Sequence, residues 1–202
     1  MCGIAGISLL KPNTNIMSRF SDIEKYISHR GPENTGYFEN SYLSLLHTRL
    51  SIVDIEGGNQ PIESERYVLI ANGEIYNDLE IRKTKNKYKY ITKSDSESIL
   101  ALYEENGING LKDLRGMFAF AIYDKQKDEL IIGRDPFGIK PLYFSLSDEG
   151  VFFCSEIKGI KNIKTRKSEI DNLKVQEFMQ MQYCSGFGTI YKDIKRVIPG
   201  QI

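Results

Sequence analysis

Met117-Phe118-Ala119-Phe120-Ala121-Ile122-Tyr123-Asp124 is followed by Lys125-Gln126-Lys127-Asp128 and then by Glu129-Leu130-Ile131-Ile132-Gly133-Arg134. Two runs rich in apolar and aromatic residues thus flank four polar ones. Apolar runs of this length suit strands, and a short polar connection lets the chain double back. The stretch predicts an antiparallel hairpin. Working outward, residues 3–10, 42–47, 67–71, 142–146 and 151–154 have the same strand character, with turns rich in Gly, Asn and Asp between them. Helical spacing is confined to three places. Residues 20–28 put Phe20, Ile23, Tyr26 and Ile27 on one face, with Ser21 or Asp22 as a cap. Residues 95–106 group Ile99, Leu102 and Tyr103. Ser94 or Asp95 stands at the N-cap, Glu97 three residues after Ser94 suggests a capping box, and Gly107 ends the helix. A weaker pattern runs over 172–182. Many strands and few helices predict an α+β layered fold.

The chain has 202 residues, 41% hydrophobic and 27% charged, enough for one sizeable core. Lys plus Arg and Asp plus Glu number 27 each. That balance gives no electrostatic reason to expect nucleic acid or an anionic membrane as partner. The basic stretch 82–89 reads as solvated surface. Basic residues also thicken after Lys158, which suggests a linker or an exposed edge. No apolar run approaches the roughly 20 residues that cross a bilayer, and the N-terminus lacks the basic region of a signal peptide. Cys2, Cys154 and Cys184 have no metal or redox spacing, so the expected compartment is the reducing cytoplasm, with no metal site.

The N-terminus carries the chemistry. Met1-Cys2-Gly3-Ile4 puts a thiol at the second residue, small enough for routine removal of Met1. Cys2 then holds a thiol and an α-amine in one residue. An α-amine titrates near about 7.7–8.0, so at physiological pH part of it is free to take the thiol proton and later return it. No distant histidine is needed, and the chain has only His29 and His47. Both read as structural.

Further strings extend this reading: Arg30-Gly31-Pro32, His47-Thr48-Arg49-Leu50-Ser51-Ile52-Val53-Asp54, Asn72-Gly73-Glu74-Ile75-Tyr76-Asn77, Ser94-Asp95-Ser96-Glu97, Gly116-Met117-Phe118-Ala119-Phe120-Ala121, Arg134-Asp135-Pro136-Phe137-Gly138 and Ser155-Glu156-Ile157-Lys158. In this order, behind Cys2-Gly3-Ile4, they resemble the class II glutamine amidotransferases, which are N-terminal-nucleophile hydrolases. The Asn-Gly-Glu-Ile-Tyr-Asn and Arg-Asp-Pro-Phe-Gly strings look like the glutaminase half of asparagine synthetase. Phosphoribosyl-pyrophosphate and hexosamine-forming members differ there, whereas related sugar-amidating enzymes share the pattern.

The resemblance implies a four-layer αββα sandwich of two antiparallel sheets flanked by helices. It places a glutaminase core at 2–165, with 166–202 running into a linker. It implies hydrolysis of L-glutamine through a Cys2 thioester, the ammonia passing to an ATP-activated aspartate. Another acceptor such as a sugar, or an inactive assembly module of the same fold, are the alternatives.

The resemblance also assigns the site. Asn72 (side-chain amide) and Gly73 (backbone N–H) stabilise the oxyanion. Arg49 grips the glutamine α-carboxylate and Asp95 meets the α-ammonium. Glu74 and the Leu50, Ser51, Ile52 and Val53 segment line the pocket. Asn-Gly is also a strong turn signal, a helix N-cap also suits Asp95, and a surface salt bridge suits Arg49. Arg30 and Gly31 shape a loop over the site, and the Arg134 string forms an ordered turn with an ion pair. No cofactor is expected in this chain. ATP and magnesium belong with the synthetase half, whose Ser-Gly-Gly-Leu-Asp-Ser loop the sequence lacks. The expected partner is that synthetase domain, in the same chain or another, and a homodimer is compatible with this reading.

Overall fold

The structure, a computed structural model, describes residues 1–51, 54, 57–85 and 87–202, without the side chains of 16, 17, 19 and 21. Its described strands form two antiparallel sheets. The larger contains β1 (Gly3–Leu9), β2 (Asn34–Glu39), β3 (Leu43–Arg49), β8 (Tyr143–Leu146), β9 (Gly150–Cys154) and β10 (Lys195–Arg196), in the order β10-β8-β9-β1-β3-β2. The smaller runs β4-β5-β6-β7, from β4 (Ile62–Glu63), β5 (Tyr67–Ile75), β6 (Gly116–Asp124) and β7 (Glu129–Arg134). The predicted hairpin is β6–β7, with Asp124 opposite Glu129 and Ala119 opposite Arg134.

Strand alternation explains the layering. On β5, Tyr67, Leu69 and Ala71 pack toward one side while Val68 and Ile70 pack toward the other. On β6, Phe118, Phe120 and Ile122 take the first side, and Ala119 and Ala121 the second. Val68, Ile70, Ala119 and Ala121 meet Ile4, Leu43, Leu45 and Phe153 of the larger sheet. The two sheets therefore pack face to face, each strand sending alternate residues to the shared layer. Helices cover the outer faces. α3 (Asp78–Thr84) and α4 (Glu97–Asn106) pack on the smaller sheet through Ile81, Ile99 and Leu102. α1 (Thr14–Phe20), α2 (Glu24–Ile27) and α5 (Ile157–Ile163) pack on the larger through Phe20, Ile27, Ile160 and Ile163. Three apolar layers between four structural ones make the expected αββα sandwich. Gly6 is needed in the middle layer, since a Cβ there lies 2.3 Å from the Phe153 ring.

Several local expectations are corrected. The helix expected over 20–28 is a broken run: α1, a 3-10 turn at Ser21–Ile23, α2, and a second 3-10 turn at Ser28–Arg30. Asp22 pairs with Lys25 at 2.5 Å and caps nothing. The capping box at α4 is absent. Its N-cap is Ser96, and the buried Glu97 carboxylate instead accepts from the N–H groups of Ile91 and Thr92 and the Tyr88 hydroxyl. Of the basic residues from Lys158 on, Lys158 and Lys161 lie on the exposed face of α5, whose Ile160 and Ile163 are buried, as an exposed edge requires. Within the chain, the Arg134 string makes backbone contacts where a buried ion pair was one expectation. Arg134 donates to the carbonyls of Gly138, Lys140 and Val197, and Asp135 accepts from the N–H groups of Phe118, Phe137, Ile139 and Lys140. No described helix is long and apolar enough to cross a membrane.

Candidate active site

The candidate site lies where the layer between the sheets opens. Ile4 on β1 and Leu43 and Leu45 on β3 face that layer. The two-residue period then directs Cys2, His47 and Arg49 the same way. Val68 and Ile70 of β5 face the layer from the other sheet, and Asn72 follows with the same parity. A cavity of about 90 Å³ has Cys2, His47, Arg49, Asn72, Gly73 and Asp95 in its wall. Hollows of about 750 and 660 Å³ lie elsewhere and contain none of the residues to which the resemblance assigns a part in catalysis or glutamine binding. Here chemistry locates the site and size does not.

Leu50 holds the nucleophile in place. Its N–H donates to Cys2 Sγ at 3.4 Å, and the thiol lies 3.6 Å from its carbonyl oxygen. Arg30 Nε donates to the Cys2 carbonyl at 3.1 Å, and Arg30 Nη1 pairs with Glu156. Glu156 also meets His29 and Lys158. His29 is thus a surface hydrogen-bond partner of Glu156. Neither other cysteine rivals Cys2. Cys154 is fully buried, which pushes its thiol up to about 12, and Cys184 is buried against α6 (Asn172–Met181), where its thiol donates to the Lys174 carbonyl.

Asn72 and Gly73 form no turn; both belong to β5, opposite Ala119 and Phe118 of β6. In an antiparallel ladder every second residue turns its N–H to the same edge. Ala71 N–H goes to Gln60 Oε1 at 2.6 Å, and Ile75 N–H to Asp95 Oδ2 at 2.6 Å, both away from β6. Gly73, midway between them, therefore points its N–H to that edge, at the cavity wall. Glycine is required there for a reason that the motif does not show: a Cβ lies 2.2 Å from the Met117 carbonyl oxygen. Asn72 is 1% exposed, and its Nδ2 is buried without a partner. A buried amide donor left unpaired is costly, so its persistence here marks a functional position.

Arg49 is no surface residue. It is 4% exposed, with Nη1 donating to Asn59 at 2.7 Å and Nη2 to the Asp54 carbonyl at 2.6 Å. Asp95 caps no helix; one carboxylate oxygen, Oδ2, accepts from Ile75 N–H at the cavity wall. Burial raises its pKa above the ordinary 3.8, with Asp78 adding to the rise and the Ile75 bond opposing it.

Residues 1–202 match the family described as glutamine amidotransferase domain. The chain belongs to that family. It is 38% identical to asparagine synthetase [glutamine-hydrolyzing] 1 of Bacillus subtilis over 99% of this chain and 33% of the relative. It is 41% identical to asparagine synthetase B [glutamine-hydrolyzing] of Escherichia coli over 79% of this chain and 30% of the relative. The chain thus spans about a third of these relatives. Among solved structures, glutamine phosphoribosylpyrophosphate amidotransferase from B. subtilis superposes with a TM-score of 0.62 at 20% identity, over 84% of this chain and 45% of that one. At that identity the likeness concerns the fold.

Of the residues that the amidotransferase motifs assign, the cavity gathers Cys2, Arg49, Leu50, Asn72, Gly73, Glu74 and Asp95. Ser51 is not among them; its N–H is tied to Glu33 at 2.8 Å. Ile52 and Val53 lie outside the described residues. Sequence reading missed Gln60 and Lys140 in the wall and took His47 as merely structural. The two-residue period from Leu43 and Leu45 to His47 is the signal that places this histidine in the site.

Proposed function

We propose that the processed chain hydrolyses L-glutamine to glutamate and ammonia through a thioester on Cys2. The observation that supports this best is the joint presence, in one cavity wall, of the Cys2 thiol, of Asn72 Nδ2, which is buried without a partner, and of Gly73, whose N–H is turned away from β6. Removal of Met1 frees the Cys2 amine, and because Met1 lines the cavity, it also enlarges it. The amine takes the thiol proton, and the thiolate attacks the side-chain amide carbon. The negative charge that develops on the amide oxygen meets donors already placed, which is where such stabilisation is strongest. The C–N bond breaks and ammonia leaves with the proton held by the amine. Water adds to the thioester, the C–S bond breaks, and glutamate departs with the thiol restored. Arg49 holds the α-carboxylate and Asp95 the α-ammonium, a fixed two-point grip that orients the amide.

In this reading the ammonia goes to an aspartate activated by ATP in a further domain, with the whole acting in the cytoplasm. The names of the longer relatives support this. So does α6, which buries none of its residues and exposes Leu173 and Met179 on the surface. The sequence has no Ser-Gly-Gly-Leu-Asp-Ser loop for ATP. That chemistry is assigned to the further domain.

Mass spectrometry after brief exposure to 6-diazo-5-oxo-norleucine, an alkylating glutamine analogue, tests the reading. The expected result is loss of Met1 and a single adduct on Cys2, with a chain that retains Met1 taking none. A folded, processed chain without the adduct overturns it.

Asp95 makes the grip sensitive to acid. A Cys2→Ala chain holds glutamine without consuming it, so its Kd isolates binding. Because burial raises the Asp95 pKa, the carboxylate gains its proton at a higher pH than an ordinary aspartate would. Kd measured by calorimetry is expected to rise as pH falls, with a midpoint above 3.8. In the Cys2→Ala, Asp95→Asn chain binding is weak and flat over the same range. An unchanged acid limb in the double variant would assign that limb to another group.

A further inference from the structure

We propose that His47 and Gln60 are positioning residues, which set Asn72 as an oxyanion donor by holding the Ala71 backbone at both its N–H and its carbonyl. The proposal rests on the glutaminase reading above.

The need for such a device follows from the sheet. β4 pairs with β5 only through Ile62 opposite Leu69 and Glu63 opposite Val68. Beyond Leu69 that edge of β5 has no neighbouring strand among the described residues. A buried strand edge still has to satisfy its N–H and C=O groups. At Ala71 two side chains do so in place of a strand. Gln60 Oε1 accepts from Ala71 N–H at 2.6 Å, and His47 Nε2 lies 3.1 Å from the Ala71 carbonyl oxygen. A carbonyl only accepts, so the imidazole proton sits on Nε2. Burial lowers the His47 pKa to about 3, which keeps the ring a neutral donor throughout the working range. Gln60 is 8% and His47 1% exposed, so neither bond is exchanged readily for water.

The peptide unit that His47 holds joins Ala71 to Asn72. Its plane sets the direction in which Cα of Asn72 projects its side chain. Gln60 fixes the preceding peptide unit through its N–H. β6 holds the opposite edge of Asn72, through Ala119. Asn72 Nδ2 has no hydrogen bond of its own to orient it. Its aim is therefore inherited from the backbone, and the backbone is fixed by β6 on one edge and by two side chains on the other. His47 comes from β3 of the larger sheet and so ties the oxyanion strand to the sheet whose β1 follows Cys2. Nucleophile and donor are registered to one another through it.

The test compares His47→Leu and Gln60→Met, which lose the donor and the acceptor at similar volume, with His47→Gln, whose amide N–H can reach the same carbonyl. Three readouts are taken on the Met1-processed chain: kcat and KM for glutamine, the inhibition constant of the γ-aldehyde analogue of glutamine, and the midpoint of thermal unfolding. The aldehyde forms a C–S bond with Cys2, and its oxygen then occupies the oxyanion position. His47→Leu and Gln60→Met are expected to lose about tenfold to a hundredfold in kcat, a typical cost of small misplacement, with KM within about twofold. Aldehyde affinity falls in parallel, and His47→Gln recovers most of both. Folded variants with unchanged aldehyde affinity overturn the proposal, as does loss of activity only in proportion to unfolded protein. If His47→Leu fails to fold, Gln60→Met decides, since it removes one acceptor at the cavity wall. Wild-type chain that releases no ammonia strikes the glutaminase reading itself; wild-type turnover with unmoved variants strikes only the positioning role.

Discussion

Replacing Cys2 by alanine removes ammonia release from glutamine, a loss on the order of 10⁴-fold or more, as expected when a covalent nucleophile is deleted. No other thiol can substitute. The Cys154 thiol has its pKa pushed up to about 12 inside the larger sheet, and Cys184 is buried where its thiol donates to the Lys174 carbonyl. Cys2→Ser is the more informative partner variant. It keeps a hydroxyl beside Leu50 N–H and the α-amine as base, but a hydroxyl is far harder to ionise than a thiol. It should therefore stay close to the alanine variant in rate. Neither change should disturb the fold, because Cys2 precedes β1 and its sulfur is hydrogen-bonded to the Leu50 backbone alone among the described residues. A coupled assay for ammonia, alongside the unfolding midpoint, reads both. Wild-type rates in a folded Cys2→Ala chain would place the nucleophile elsewhere and end the N-terminal mechanism.

The parts of the fold that sequence revealed are those where apolar content and period agree. β1, β6 and β9 bury apolar residues on both faces, and β7 buries Ile131 on one face and packs the half-buried Leu130 and Ile132 on the other, so their apolar runs identify them without a partner in view. β2 was missed because it is an edge strand with no fully buried residue, and its Asn34-Thr35-Gly36 start reads as a turn. The last four residues of β5, Asn72 to Ile75, carry a turn-like composition. They are a strand because β6 pairs with them, and that pairing is non-local. The same distinction divides the site. Cys2, Arg49, Asn72, Gly73 and Asp95 sit in motifs that the amidotransferase resemblance names. Gln60 sits in a loop with no pattern, and its function depends on a bond to a residue 11 positions away that only the folded edge of β5 creates. Glu97 shows the opposite failure. Local capping rules claimed it, but the loop at 91–92 offered two N–H groups to a buried carboxylate, and satisfying them outweighed the cap.

Asn72→Ala should reduce kcat by about 10²–10³, or roughly 3–4 kcal/mol of transition-state stabilisation, while KM changes little. The reason lies in when the interaction forms. In the resting protein Asn72 Nδ2 bonds to nothing, and charge reaches it only as the tetrahedral intermediate develops. Gly73 N–H remains, so some catalysis survives, which separates this variant from Cys2→Ala. Stability should move the other way. Asn72 is 1% exposed with an unpaired donor, and its backbone stays in register with Ala119 whatever the side chain. Deleting an unsatisfied buried amide relieves a desolvation cost, set against a small void left by the lost atoms. The unfolding midpoint is therefore expected to hold or rise as activity falls. A residue kept for packing would show the reverse, with stability lost and the rate per folded molecule retained. Steady-state kinetics and thermal unfolding on the same preparation distinguish the two. A kcat within a few-fold of wild type would remove Asn72 from the oxyanion site and leave Gly73 N–H as its sole assigned donor.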